Sequence, residues 1–141
     1  MKAKEYLSQA RFLDSSIKAK LEQIQVLDSL ATSCSVVISD MPGSPNRGTS
    51  RMENTITKIV DLREEINRDM NRLVELKREI MVLIKSVSSL EYQTILEKRY
   101  LSFDSWEKIS VDLGYSIQHT YRLHDAALRE VEGMMRVKDI E

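Results

Sequence analysis

The sequence predicts an all-α protein in which a long antiparallel coiled-coil helical hairpin precedes a C-terminal helix-turn-helix. Only 4 Gly and 2 Pro occur in 141 residues, and 6% of the residues are aromatic, a balance that favours helices over strands and their turns. Apolar residues recur at alternating three- and four-residue steps over two long segments, which is the period of one helical face. Both prolines lie together between these segments. These observations predict two helices joined by a loop.

The first helix is predicted over roughly residues 2–33, which contain neither Gly nor Pro. A β-branched run at 35–39 follows, and we interpret it as the fraying end of this helix because no second strand is predicted to pair with it. Residues 40–50 hold both prolines and two glycines and predict an exposed loop. The predicted stripe of the first helix consists of Tyr6, Ala10, Leu13, Ile17, Leu21, Ile24, Leu27 and Ala31.

The second helix is predicted from Arg51 onward, where apolar residues follow a 4-3 spacing that is typical of a coiled-coil seam. Only Arg63 and Lys77 interrupt that spacing. The two long helices are therefore expected to fold back on each other, giving a first domain at 1–88. A hairpin of this length exposes more apolar surface than it buries, so we expect a homo-oligomer, most simply a dimer. The expected oligomerisation residues are Ile59, Ile66, Met70, Leu73 and Ile80.

Residues 89–141 predict a second domain with three helices. A Ser followed three residues later by Glu marks the first start, and Ser105 marks the second. That second helix ends at Gly114, and a last helix begins at Ser116. A helix, a turn that contains glycine and a capped helix together form the helix-turn-helix pattern.

The last helix, at 116–132, has a polar face suited to double-stranded DNA. Its expected buried residues are Thr120, Leu123, Ala127, Leu128 and Val131. The opposite face then presents Gln118, His119, Tyr121 and Arg122. Glutamine can pair with adenine and arginine with guanine, while tyrosine or histidine can contact a phosphate or a thymine methyl group. The alternative is a three-helix packing module on which these residues are merely solvated.

Three runs carry a family resemblance: Arg99-Tyr100, the stretch from Trp106 to Ser116, and Thr120 followed by 123–128. They resemble region 4 of the sigma-70 family of transcription factors. The layout of the whole chain resembles the ArpU and RinA type of regulators from phages and prophages of Gram-positive bacteria, which implies activation of late operons.

The sigma resemblance implies that Ile117, Gln118 and Arg122 contact promoter DNA, with Ile117 standing where that family usually has arginine. RNA polymerase is then a further expected partner.

The predicted DNA-binding domain is acidic overall, since residues 90–141 carry 7 Lys and Arg against 10 Asp and Glu. Phosphate neutralisation supplies much of DNA affinity, so few phosphate contacts are expected. Two other functions therefore stay open. One is a phage DNA-packaging adaptor of the small-terminase kind, and the other is a protein-interaction module that binds RNA polymerase or sigma without touching DNA.

Catalysis and cofactors have no candidate residues in this sequence. No nucleophile is paired with a base, and His119 and His124 lie five residues apart on different faces of a helix, so we expect neither an enzyme nor a bound metal or cofactor. The longest apolar runs are too short to span a membrane, and the only cysteine is Cys34. A cytoplasmic location without membrane contact is expected.

Overall fold

The structure, a computed structural model, describes the backbone of residues 2–40 and 45–140 and the side chains of residues 2–33 and 50–137. This backbone contains no strand, which confirms the predicted all-α class. No helix within the same ranges is long and apolar enough to cross a membrane. The elements in chain order are α1 (Ala3–Asp40), α2 (Pro45–Lys85), α3 (Leu90–Tyr100), α4 (Trp106–Leu113) and α5 (Ile117–Ile140).

The connection between α1 and α2 differs from the predicted loop at 40–50. The first helix continues through the β-branched run to Asp40, and the second already begins at Pro45, so residues 45–50 are helical and not loop. Proline fits the first position of a helix because its φ is already helical and its missing N–H would have no acceptor there. The remaining loop positions, 41–44, lie outside the described residues. Pro45 therefore starts a helix, and the predicted loop is shorter than residues 40–50.

The chain divides into two compact units, one of residues 14–72 and one of residues 1–13 together with 73–141. This division does not coincide with the expected domains at 1–88 and 89–141. The reason lies in the core of the second unit, to which the first turns of α1 and the last turns of α2 contribute buried side chains alongside α3 and α5.

The unit of residues 14–72 consists of parts of α1 and α2 held side by side. The Lys20 Nζ lies 2.6 Å from an Asp69 carboxylate oxygen and 3.5 Å from one of Glu65. Hydrogen bonding to Asp69 raises the pKa of Lys20, so this amine is protonated. Because the unit has no third element, its buried side chains on each helix pack against the other helix. They are Ile17, Ile24, Ile59 and Ile66.

The second unit packs α3, α4 and α5 against one another. Its connection from α2 to α3 is fixed by two hydrogen bonds: the Ser88 N–H donates to the Glu130 carboxylate at 2.7 Å, and the Gln93 amide donates to the Val87 carbonyl at 2.7 Å. The buried residues of its main cluster are Ala3, Leu7, Ala10, Leu76, Ile80, Leu83, Ile84, Val87, Leu96, Tyr100, Ala127 and Val131. Side chains of α3 and α5 therefore share one core with the start of α1 and the end of α2.

Candidate nucleic-acid interface

The turn between α4 and α5 is formed by a glycine in the left-handed conformation and by two backbone hydrogen bonds. Gly114 has φ 71° and ψ 30°, the left-handed conformation that glycine adopts without a Cβ penalty. Its N–H donates to the Val111 carbonyl at 3.2 Å, and the Tyr115 N–H donates to the Ser110 carbonyl at 3.0 Å. These two bonds form a Schellman motif, which ends α4 sharply and redirects the chain.

The start of α5 is capped as the sequence predicts. The Ser116 hydroxyl accepts a hydrogen bond from the His119 N–H at 3.1 Å, which satisfies one of the free amides of the first turn. The Tyr115 hydroxyl donates to the Glu91 carboxylate on α3, and its ring meets the His119 ring edge-on at 4.7 Å. The turn is thus fastened to both neighbouring helices, which sets the direction in which α5 leaves it.

One face of α5 is buried against α3 and α4. Thr120, Ala127 and Val131 are fully buried, as predicted. Leu123 and Leu128 are half-buried. The Thr120 hydroxyl donates to the Ser116 carbonyl at 2.9 Å, so the buried oxygen has its hydrogen bond within the helix.

His124 belongs to the same buried face, although it is not among the residues predicted to be buried. It is only 5% exposed, and its Nε2 lies 2.6 Å from the Tyr100 hydroxyl oxygen. Burial lowers the pKa of His124 to about 4 and raises the pKa of Tyr100 to about 12, so both groups are neutral near pH 7. Its spacing of four residues from Thr120 and three from Ala127 was the signal that it shares the buried face.

A row of contacting side chains links the three C-terminal helices. The Arg99 guanidinium of α3 lies 4.5 Å from the Trp106 ring centroid of α4, and it donates to the Asp104 carbonyl at 3.0 Å. The Trp106 ring meets the Tyr121 ring edge-on at 5.3 Å and the His124 ring at 4.5 Å. Cation–π and edge-to-face contacts of this kind add to the burial of the rings. They fix Tyr121 relative to the other two helices.

The opposite face of α5 is open to solvent and holds the predicted reading residues. Gln118, Tyr121 and Arg122 are exposed, whereas Ile117 and His119 are half-buried beside them. Within the described part of the chain, the side chains of Gln118 and Arg122 have neither a hydrogen bond nor an ion pair. Their donors and acceptors are available to a ligand.

The predicted oligomerisation residues are mostly packed inside the single chain. Ile59 and Ile66 are buried within residues 14–72, Ile80 is fully buried in the other unit, and Leu73 is half-buried. Only Met70 of the five is exposed, at 51%. Four of the five predicted oligomerisation residues are thus wholly or partly covered by other parts of the same chain.

Among the described side chains, no group of three His, Cys, Asp or Glu is arranged to hold a metal ion.

Among known protein families, the model of DUF1492, described as a protein of unknown function, matches residues 39–132. A search of curated proteins and a search of solved structures each returned no significant match. The match covers about two thirds of the 141 residues, including α3, α4 and the first four turns of α5. The chain therefore belongs to the DUF1492 family.

Proposed function

We propose that this protein is a sequence-specific DNA-binding transcription regulator of the phage or prophage type. In this proposal α4, its turn and α5 form a helix-turn-helix like that of sigma region 4, and residues 116–132 read the major groove. One observation carries it: Gln118 and Arg122 stand unpaired and exposed on the first two turns of a helix whose opposite face is fixed in the core. That is the placement of base-contacting side chains on a recognition helix.

The exposed residues offer distinct chemistry to base edges. The Gln118 amide suits a bidentate pair with adenine, and the Arg122 guanidinium suits the two acceptors of guanine. Ile117, which replaces the arginine usual in the sigma family, offers an apolar contact to a thymine methyl group instead. Tyr121, held by Trp106, and His119 stand beside them for phosphate or sugar contacts.

The acidic surplus of residues 90–141 limits how tightly one copy of the protein can bind DNA. With 7 basic against 10 acidic residues, a single copy makes few phosphate contacts, and tight binding then needs two half-sites or help from RNA polymerase. We propose that α1 and α2 form an antiparallel coiled-coil hairpin that supplies a dimer contact or a polymerase contact. Its available surface is the exposed apolar side chains Ile56, Val60 and Met70, since Ile59 and Ile66 are buried.

A second candidate is a protein-interaction module that binds RNA polymerase or sigma without contacting DNA. The same acidic surplus favours it, as does Val111, an apolar side chain of α4 that is 78% exposed. A DNA-packaging adaptor is separated from both by its mass in solution, since ring assemblies are expected for it and a dimer for the regulator.

The test is selection of enriched sequences from a random duplex pool, with and without RNA polymerase. Arg122→Ala is expected to cost about 1–3 kcal/mol of binding and to relax preference at one base pair, and Gln118→Ala to do so at a neighbouring pair. Arg68→Ala and Gln23→Ala, which remove the same groups from exposed positions of α2 and α1, serve as matched controls. Folded protein that enriches no sequence under either condition would favour the interaction module.

A further inference from the structure

We propose that Arg129 binds a DNA phosphate at the rim of the groove that α5 enters, and that Arg136 stays clear of the duplex. This inference rests on the proposed function and adds to it the depth to which the helix inserts. It assigns a positioning role to a residue outside the base-reading turns.

Three arginines form a row along one face of α5. Arg122, Arg129 and Arg136 follow one another at seven-residue steps, which bring a helix back to nearly the same face. All three are exposed, and none has an ion pair or a hydrogen bond among the residues whose side chains are described. Their face lies opposite Thr120, Ala127 and Val131, the buried row of the same helix.

The spacing of the row decides which arginines reach DNA. Seven residues of α-helix advance about 10 Å along the axis, and the major groove of B-DNA is about 8.5 Å deep and about 12 Å wide. If α5 enters the groove by its N-terminal end, with its axis pointing into the groove and Arg122 at the base edges, Arg129 lies about one groove depth further out, where the sugar-phosphate strands form the groove wall. Arg136 is then about 20 Å from Arg122 along the axis, beyond the duplex.

The chemistry of the position fits a single directed contact. A guanidinium presents a fork of donors that matches two oxygens of one phosphate. Asp125 and Glu132 lie four residues before and three after Arg129, so this part of α5 is not a broad basic patch. Favourable binding at Arg129 therefore requires that a phosphate approach this guanidinium closely, as a docked groove wall does.

The experiment compares Arg129→Ala with Arg136→Ala by fluorescence anisotropy, on an enriched duplex and on a scrambled duplex of equal length. Both variants remove one charge from the same face, so Arg136→Ala controls for net charge. We expect Arg129→Ala to weaken binding to both duplexes about tenfold and to lower the slope of log K against log salt by about 1. Arg136→Ala is expected to change neither, and Arg129→Lys to restore most of the slope.

Three outcomes for the variants overturn the inference, and a fourth, for the wild-type protein, overturns it together with the proposed function. Equal effects of the two alanine variants would mean that only overall charge matters, and a changed base preference in Arg129→Ala would mean that this residue reads a base. If Arg129→Ala kept the wild-type affinity for DNA and the wild-type salt slope, the row of arginines would be assigned to an acidic protein surface instead. Wild-type protein that is folded and binds neither duplex overturns the proposed function itself, and this inference with it. Equal melting temperatures of all variants confirm that folding is unaffected.

Discussion

At the residue scale, the burial of His124 between side chains of α3 and α4 keeps its ring neutral. The ring lies between Tyr100 and Trp106, where it has lost nearly all contact with water. The adjacent Asp125 carboxylate, at 3.8 Å from Nδ1, favours the charged form, but desolvation is the larger effect. The neutral ring therefore acts as a core residue that holds α5 against α3, and not as a ligand for DNA.

This burial predicts a loss of folding stability in mild acid. The unfolded histidine takes up a proton near its ordinary pKa of 6.5, whereas the folded one does so only near 4, so stability falls as pH drops through this window and is unaffected above it. Between about pH 7 and pH 4.5, His124→Phe is expected to lose about 2 kcal/mol less than the wild type in urea unfolding. Tyr100→Phe keeps the titrating ring and should keep the pH dependence. Parallel curves for wild type and His124→Phe would contradict the assignment.

At the scale of an element, two glycines in the C-terminal unit have opposite roles. Gly114 ends α4 with a positive φ of 71°, whereas Gly133 lies within α5. A Cβ at either position would meet no atom within 4 Å, so sterics with neighbours do not distinguish them. Only backbone conformation does, because L residues are strained in the left-handed region while alanine favours a helix interior over glycine.

We therefore expect Gly114→Ala to destabilise the fold by about 1 kcal/mol and Gly133→Ala to stabilise it by about 0.5–1 kcal/mol. Thermal unfolding followed by circular dichroism measures both, and each variant is the matched control of the other because both add one methyl group in open space. A Gly114→Ala variant that melts at or above the wild-type temperature would show that the turn is not held in the left-handed conformation.

For the whole molecule, the main question is which apolar surface is used within the chain and which is left for other chains. On α2, Ile66 is 6% exposed and packs toward α1, whereas Met70, one turn further along, is about half exposed. A buried unpaired charge costs several kcal/mol, and an exposed one costs little. The same substitution at these two positions therefore separates folding from association.

Ile66→Asp is expected to lower helicity and melting temperature. Met70→Asp is expected to keep both and to convert the proposed dimer to a monomer. Circular dichroism and light scattering on the same samples measure the two effects. An Ile66→Asp variant with wild-type mass and melting temperature would contradict the packing of residues 14–72. An unchanged mass in Met70→Asp would exclude this side of α2 as the dimer contact.

Local signals predicted the features that depend on residues within one or two helical turns. The all-α class follows from apolar spacing, and the break at Gly114 and the cap at Ser116 follow from the conformational preferences of those residues. The buried positions Thr120, Ala127 and Val131 follow from one helical period. The predicted loop is wrong at Pro45 because proline both breaks and starts helices, and which role applies depends on whether the residues after it continue the helix.

The sequence by itself determined that this chain is helical, where α3 and α4 begin and end, where α5 begins, and which face of α5 is left open. It predicts an end of the last helix at residue 132, whereas α5 continues to Ile140. Only the tertiary structure decided that the first turns of α1 join the core of the C-terminal unit, that Ile80 is buried there, and that His124 is enclosed by Tyr100 and Trp106. The physical reason is the distance along the sequence over which each interaction acts. A helical period and a cap depend on neighbours in sequence, whereas the partner that removes a side chain from water is brought to it from far along the chain.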